Sequence, residues 1–295
     1  MSESVCGFLN LNKPEGWTSR DAVNVVQRLV RPAKAGHAGT LDPLATGVLV
    51  VAIGRATRLI EYAQRGVKRY RGEFLLGRTS NTEDIEGDIV ELDNPPRPTQ
   101  TEIASAAENF QGTIQQRPPA FSALKVSGKR AYQLARSGKP VELEARTVQI
   151  YELTLLTLEY PKMVLEIVCG SGTYVRSLGR DLAASLGTGA VMSSLTRLAV
   201  GPFKLKDAFE PATLSEKTWP DKLYAVDFVL ADLPRLTFDE TEVRRLGHGQ
   251  PVAVNDGSTD RQEFAAFDVT GRFLAVVQAV RGRWKIVRNV SLGSS

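Results

Sequence analysis

The sequence is poor in the side chains that bind metals or form disulfide bonds. Its 295 residues include 2 cysteines and 2 histidines. Cys6 and Cys169 form no C-x-x-C motif and lie far in sequence from both His37 and His248, so no zinc-binding spacing is present. Two distant thiols do not make a disulfide scaffold and are typical of a reducing compartment. We therefore expect a cytoplasmic protein without a metal ion.

Long hydrophobic runs and the common cofactor motifs are also absent from the sequence. The longest apolar stretch, Gly47 to Gly54, is too short to cross a bilayer, and the N-terminus lacks the pattern of a secretory signal. The sequence contains no G-x-S-x-G elbow, no G-x-x-x-x-G-K-[ST] phosphate loop and no G-x-G-x-x-G after a strand. These absences favour a reaction without a metal or nucleotide cofactor, or no reaction at all, and no membrane association.

Positive charge is concentrated in three separate parts of the chain. Residues 1–71 carry 11 Lys and Arg against 5 Asp and Glu, residues 72–116 carry 2 against 9, and residues 117–147 carry 7 against 2. The final 24 residues hold five basic side chains and no acidic one. Separated basic patches suit a phosphate backbone that crosses several parts of a protein, although solvated surface charge explains them equally well.

Apolar patterning predicts both strands and helices along the chain. Thr18 or Ser19 can cap a helix that Pro32 closes, and Thr99-x-x-Glu102 is a capping-box pattern for another. A third helix is predicted over Tyr174 to Leu186. The predicted strands cover 8–12, 48–53, 70–76 and two segments within 147–169.

The same patterning divides the chain into two domains and an insertion. A basic segment at 117–147, rich in Ser, Gly and Lys with a short helix predicted at Ala131–Ser137, is typical of an insertion between strands. After Leu233-Pro234 the sequence changes to short alternating strands with turns, which predicts a small β domain. We expect one domain over 1–231 and a second over 232–295.

A single carboxylate lies at the centre of a glycine-rich loop. The segment from Gly36 to Gly47 holds three glycines and a proline around Asp42 and leads directly into the buried strand Val48–Ile53. Loops that are anchored by a rigid strand are where catalytic residues concentrate. An aspartate that only satisfies loop amides is the alternative interpretation of this segment.

Five motifs, in order, resemble those of the TruB family of tRNA pseudouridine(55) synthases. The loop matches the family signature G-H-x-G-[ST]-L-D-P-x-A-x-G-[VL]-L at every defined position. The other four matches are LNKPxGxTS at 11–19, K-x-Y at 68–70, FSALK at 121–125 with RAY at 130–132, and GTYVRSL at 172–178. One departure is visible at 80–84, where Ser-Asn-Thr-Glu-Asp replaces the common T-D-T-x-D.

This resemblance implies a fold and a set of site residues. The fold would be of the α+β class, with a mixed, largely antiparallel sheet, a thumb-like insertion that grips RNA, and a C-terminal PUA-like RNA-binding domain. Asp42 would be the nucleophile, Tyr70 would stack on the flipped base and help to remove the C5 proton, and Arg176 would pair with Asp42. The remaining implied residues are His37, Tyr174 and Leu195 for substrate binding, Asp84 for support, and Lys125, Lys129, Arg130 and Arg136 for RNA contact in the thumb.

The implied reaction is the isomerisation of uridine 55 in the T loop of tRNA to pseudouridine. No atom is gained or lost, so no cofactor is needed, but the stacked base must be extruded into a pocket. An ionised Asp42 inside a mostly apolar pocket requires a cationic partner, and Arg176 would supply it. Attack at C6 of uracil and attack at C1′ of ribose both remain open. We expect a monomer that acts on the tRNA T arm without an obligate protein partner.

Two other classes of function remain as alternatives. A non-catalytic RNA-binding or RNA-folding protein would use the basic patches without turnover. A hydrolase with an aspartyl nucleophile would need a second carboxylate or a base beside Asp42, and neither is adjacent to Asp42 in the 36–49 loop.

Overall fold

The computed structural model describes residues 5–121, 125–126, 129–130, 143–254 and 259–292. For residues 125–126 and 129–130 it describes the backbone alone. Five α-helices are found there: Ser19–Leu29, Ile60–Arg65, Gln100–Glu108, Val175–Ser185 and Glu240–Gly247. Short 3-10 helices cover Gly54–Leu59, Leu205–Asp207, Pro211–Thr213, Pro220–Lys222 and Val226–Leu230. The strands are β1 Gly7–Lys13, β2 Ala35–His37, β3 Ala45–Ile53, β4 Lys68–Leu76, β5 Arg78–Ser80, β6 Ile89–Glu91, β7 Gly112–Gln116, β8 Lys125–Val126, β9 Lys129–Arg130, β10 Arg146–Glu159, β11 Lys162–Cys169, β12 Ala190–Val200, β13 Phe203–Lys204, β14 Arg235–Phe238, β15 Val252–Ala253, β16 Glu263–Asp268, β17 Phe273–Val280 and β18 Arg283–Asn289.

A nine-stranded sheet forms the centre of the larger domain. Its main path is β1–β3–β12–β4–β11–β10–β7, with β2 paired to β3 and β13 paired to β12. All of these pairings are antiparallel except that of β3 with β12. The predicted α+β class with a mixed, largely antiparallel sheet is therefore confirmed.

Local sequence signals explain where the helices begin. Thr18 caps the first helix, and a reciprocal bond from Asp21 completes a capping box. Thr99 and Glu102 form the same box on the helix Gln100–Glu108, as the sequence predicts. The helix Val175–Ser185 is one residue shorter at each end than predicted, with Tyr174 in the extended N-cap position.

Strand β4 places both defined residues of the K-x-Y motif, Lys68 and Tyr70, on one face of the sheet. Its burial alternates, because side chains of successive strand residues point to opposite faces. Lys68, Tyr70, Gly72 and Phe74 therefore share the buried face. The helix Val175–Ser185 packs closely on this face through Gly179, where a β-carbon would lie 2.0 Å from the Phe74 ring. Glycine at this position is what allows helix and sheet to approach.

The C-terminal β domain has its own sheet but not a wholly separate core. Five strands run in the order β14–β16–β17–β18–β15. One side of this sheet packs in a common hydrophobic cluster with the larger domain, where Phe267, Phe273 and Val276 join Phe8 and Val48. Because the two domains share apolar contacts, the C-terminal domain is docked on the larger one. Within the described residues, no helix is long and apolar enough to span a bilayer.

Candidate active site

The backbone around Asp42 is held by the N-terminal motif. The Ser19 hydroxyl accepts a hydrogen bond from the Leu41 amide at 2.8 Å and lies 3.1 Å from the Leu41 carbonyl. Lys13 is fully buried, and its ammonium donates to the Pro14, Trp17 and Pro43 carbonyls at 2.9, 2.6 and 3.1 Å. Burial lowers the pKa of Lys13 to about 8, and the negative charge of Asp42 limits this decrease. These contacts fix the backbone on both sides of Asp42.

Arg176 joins Asp42 to a second carboxylate. Its Nε lies 3.1 Å from Asp42 Oδ2, and its Nη1 lies 3.1 Å from Asp84 Oδ2. The guanidinium also donates to the carbonyls of Thr82 at 2.8 Å and Phe121 at 3.1 Å. The side chains of Arg176 and Asp84 are 7% and 3% exposed, whereas that of Asp42 is 36% exposed. The buried pair thus presents a cation to a carboxylate that solvent and substrate can reach.

Glu83, next to Asp84, connects this loop to the helix that carries Arg176. Its carboxylate accepts a hydrogen bond from the Ser177 hydroxyl at 2.6 Å and pairs with Arg180. Its backbone is left-handed, with φ +65°, a conformation that costs free energy in residues other than glycine. Burial raises the pKa of Glu83, opposed by Ser177 and Arg180. Motif matching missed this residue, because the family pattern leaves the position undefined.

A cavity of about 350 Å³ opens beside Asp42 and brings five of the six predicted catalytic and substrate-binding residues together. Burial raises the pKa of the Tyr70 phenol, while the charge and hydrogen bond of Arg197 lower it. Residues that line the cavity include Asp42, Tyr70, Tyr174, Arg176 and Leu195, together with Gln64, Lys68, Ser171 and Arg197. Sequence reasoning assigned no role to the last four, although Lys68 stands in the K-x-Y motif.

His37 lines a second, larger cavity that shares Asp42 with the first. This cavity has a volume of about 750 Å³ and is also lined by Arg20, Asn81 and Asp88. Asp42 and Arg176 line both cavities, so they stand at the boundary between them. Burial lowers the pKa of His37, which keeps its imidazole neutral at pH 7.

The thumb residues are only partly described. Lys125 belongs to β8 and Lys129 and Arg130 belong to β9, which pair as a two-stranded hairpin. Their side chains, Arg136 and the helix predicted at Ala131–Ser137 lie outside the described residues. The described part of the chain contains no cluster of three or more His, Cys, Asp or Glu side chains that could hold a metal ion.

Known proteins with similar sequences and folds agree on one family. Residues 27–175 match the TruB family pseudouridylate synthase (N terminal domain). A tRNA pseudouridine synthase B from Rhodospirillum rubrum is 38% identical over 98% of each chain. One from Ruegeria pomeroyi is 41% identical over 92% of this chain and 91% of its own. The fold is similar to a solved Cbf5-Nop10-Gar1 complex, with a TM-score of 0.73 and 25% identity over 98% of this chain and 84% of that one. The protein therefore belongs to the TruB family of pseudouridylate synthases.

Proposed function

We propose that the protein is a tRNA pseudouridine synthase that isomerises uridine 55 of the T loop, with Asp42 as its nucleophile. The names of the curated relatives support tRNA as substrate and pseudouridine as product. The observation that carries the proposal is the position of Asp42, paired with Arg176 at the boundary of two cavities. A reactive carboxylate beside a cavity is what an enzyme needs to act on a base taken out of its stack.

The two cavities suit the two parts of a flipped-base complex. The smaller one would hold the uracil ring, stacked on Tyr70 and contacted by Tyr174 and Leu195. The larger one, with His37, would hold the nucleotides beside the vacated position. Asp42 then faces the reacting bond from the boundary between them.

The charges around Asp42 favour its role as the nucleophile, and Tyr70 would accept the proton that C5 loses. Arg176 stabilises the ionised form of the nucleophile, because an opposite charge within hydrogen-bonding distance favours the charged form. Burial keeps the Tyr70 phenol protonated at neutral pH, so its first role would be to stack on the base. To accept the C5 proton, Tyr70 would have to be ionised, and the positive charge of Arg197 favours this phenolate form.

RNA binding would be shared between the thumb at 117–147 and the C-terminal domain at 232–295, which we propose to be PUA-like. The five basic residues in the final 24 positions support such a role for the C-terminal domain. We further propose that the protein acts in the cytoplasm as a monomer without an obligate protein partner. Light scattering of the pure protein with and without tRNA tests the oligomeric state.

Pseudouridine mapping in an unmodified tRNA transcript tests the function. The purified protein is incubated with the transcript, and pseudouridine is located by specific chemical labelling followed by mass spectrometry. We expect a single modified position, uridine 55, and none in a matched transcript with cytidine there. RNA binding without modification would support the non-catalytic alternative, and release of free uracil would support the hydrolase.

A further inference from the structure

Two buried cations in the smaller cavity have no acidic partner among the described residues. Lys68 is 7% exposed and Arg197 is 2% exposed, and both line the cavity beside Asp42 and Tyr70. In the described part of the chain, neither side chain lies within 4.0 Å of a carboxylate. Arg176, by contrast, contacts both Asp42 and Asp84. Buried charges are normally paired, because leaving water is costly for an ion.

The protein contacts of Lys68 and Arg197 use two donors on each side chain, so both side chains keep donor capacity. Arg197 donates to the Val48 carbonyl at 2.7 Å and to the Gly39 carbonyl at 3.1 Å. Lys68 donates to the Gln64 carbonyl and to the Ser171 hydroxyl, the latter at 2.7 Å. An ammonium has three donors, so one of those on Lys68 has no protein acceptor among the described residues.

Breaking the glycosidic bond produces an anion in this cavity. When Asp42 attacks C1′, a new C1′–O bond forms while the N1–C1′ bond breaks, and both electrons of that bond stay on the base. Uracil is then an anion whose charge is shared with O2 and O4. After the ring turns, C5 bonds to C1′ and displaces the Asp42 carboxylate. The proton lost from C5 is balanced by one gained at N1.

Building on the proposed function, we propose that Lys68 stabilises this uracil anion, through its free N–H and its charge, while Arg197 adds a second positive charge in the same cavity. Lys68 and Tyr70 lie two residues apart on β4 and share the face on which the base would stack. A fixed cation placed where negative charge develops lowers the barrier, and it does so most strongly in a site that excludes water. The positive charge in the cavity would thus stabilise the uracil anion, in addition to the contacts that bind the ring.

The protonation of Lys68 gives this proposal a pH signature. Burial lowers the pKa of Lys68 to about 8, and the positive charge of Arg197 adds to this effect. A Cys169 thiolate would oppose it, but burial raises the pKa of Cys169 to about 11, so this thiol is neutral near pH 8. The Lys68 ammonium is charged below pH 8 and becomes neutral as the pH rises through that value. The bond-breaking step of the wild type should therefore slow above pH 8.

The experiment compares Lys68→Met and Lys68→Arg with wild type in single-turnover reactions on a T-arm RNA, from pH 6.5 to 9.5. Lys162→Met is the matched control, because Lys162 lies on the neighbouring strand β11 and pairs with Glu73 at the surface. We expect Lys68→Met to lose about 100-fold in rate at pH 7, the usual cost of removing one such donor. Lys68→Arg should retain part of the rate and lose the decline above pH 8, since a guanidinium stays charged there.

A substrate with a more stable base anion separates this role from the others. In an RNA with 5-fluorouridine at the target position, the fluorine withdraws electrons and stabilises the anion without help from the protein. Consumption of that RNA should show a penalty of only about 10-fold for Lys68→Met. Equal penalties on both RNAs, or a loss of RNA affinity in place of rate, would overturn the proposal.

Stability provides the second readout. Because folding disfavours the charged form of Lys68, Lys68→Met should unfold at the same urea concentration as the wild type or at a higher one. A lower midpoint would assign Lys68 a structural role and overturn the proposal. If the wild type itself forms no pseudouridine, the proposed function fails, whereas a fully active Lys68→Met defeats only the present inference.

Discussion

Replacing each acidic partner of Arg176 by its amide should separate stability from turnover. Both Asp42 and Asp84 contact the guanidinium at 3.1 Å, but their exposures differ. Asp84 is 3% exposed and also accepts hydrogen bonds from Thr82 and the Glu86 amide, so its charge has no access to bulk water. Asp42 is 36% exposed, so water already screens its pair.

The structure sets the expected size of each effect. Breaking a buried pair costs about 3–5 kcal/mol, and we place Asp84→Asn at the lower end, about 3 kcal/mol, because Arg176 keeps Asp42 as a partner. Pairs open to solvent contribute about 0–1 kcal/mol, which is the loss expected for Asp42→Asn. Turnover should nevertheless vanish in Asp42→Asn.

Urea unfolding, followed through the fluorescence of the three tryptophans, measures the two stabilities, and single-turnover assays measure the rates. Arg69 and Glu166 form an exposed pair away from the cavities, so Glu166→Gln is a suitable control with little effect on either quantity. Equal destabilisation by Asp42→Asn and Asp84→Asn would refute the assignment of the structural charge pair to Asp84.

Three further changes test other parts of the structure. Gly47→Ala should lower the free energy of unfolding by about 2 kcal/mol or more, because Gly47 has φ +99° and the new β-carbon would lie 2.3 Å from the Arg197 carbonyl oxygen. Gly112→Ala is the control in the same urea titration: its φ is +89°, but no atom lies within 4 Å of the new β-carbon, so its loss of stability should be smaller. Deleting the thumb at 117–147 should make the slope of log K against log salt for tRNA binding less steep, by roughly one unit for each phosphate contact that is lost. An unchanged slope would contradict RNA binding by this segment. Truncation after residue 231 should expose the shared apolar cluster and cause aggregation in light scattering, whereas a soluble, well-folded fragment would show that the docking is dispensable.

Local signals in the sequence predicted several strands and helices of the larger domain and the grouping of the main site residues, but not the central strand β12. The predicted capping box of Thr99 and Glu102 is present, and Thr18 caps the first helix, because such caps depend only on residues three positions apart. The strands β1, β3 and β4 and the helix that carries Arg176 lie close to their predicted limits. Asp42, Tyr70, Tyr174, Arg176 and Leu195 surround one cavity. Their catalytic and binding roles stay predictions.

Buried charge was the part that the sequence could not reveal. Lysine and arginine are mostly exposed, so Lys13, Lys68 and Arg197 would ordinarily be assigned to the surface. Their burial depends on carbonyl groups that the fold brings in from distant segments, such as Pro43 for Lys13 and Val48 for Arg197. One signal was available for Lys68, since the two-residue period of a strand places it on the same face as Tyr70.

The docking of the C-terminal domain was also beyond local reasoning. Its alternating strands predicted a small sheet, and the sheet is present. The contacts that join it to the larger domain, including Arg65 with Glu263 at 2.9 Å and Arg288 with Glu61 at 2.7 Å, link residues about 200 positions apart. No pattern within either segment indicates its distant partner.

Single-turnover pseudouridine formation and tRNA affinity, measured together for wild type, Asp42→Asn and Asp42→Ala, test the central claim most directly. If Asp42 is the nucleophile at uridine 55, both variants form no pseudouridine, while their Kd for tRNA stays within about tenfold of wild type, or about 1.4 kcal/mol. Affinity should survive because the proposed phosphate contacts would be spread over many basic residues. Pseudouridine formed at uridine 55 by Asp42→Ala at a measurable rate would contradict the claim.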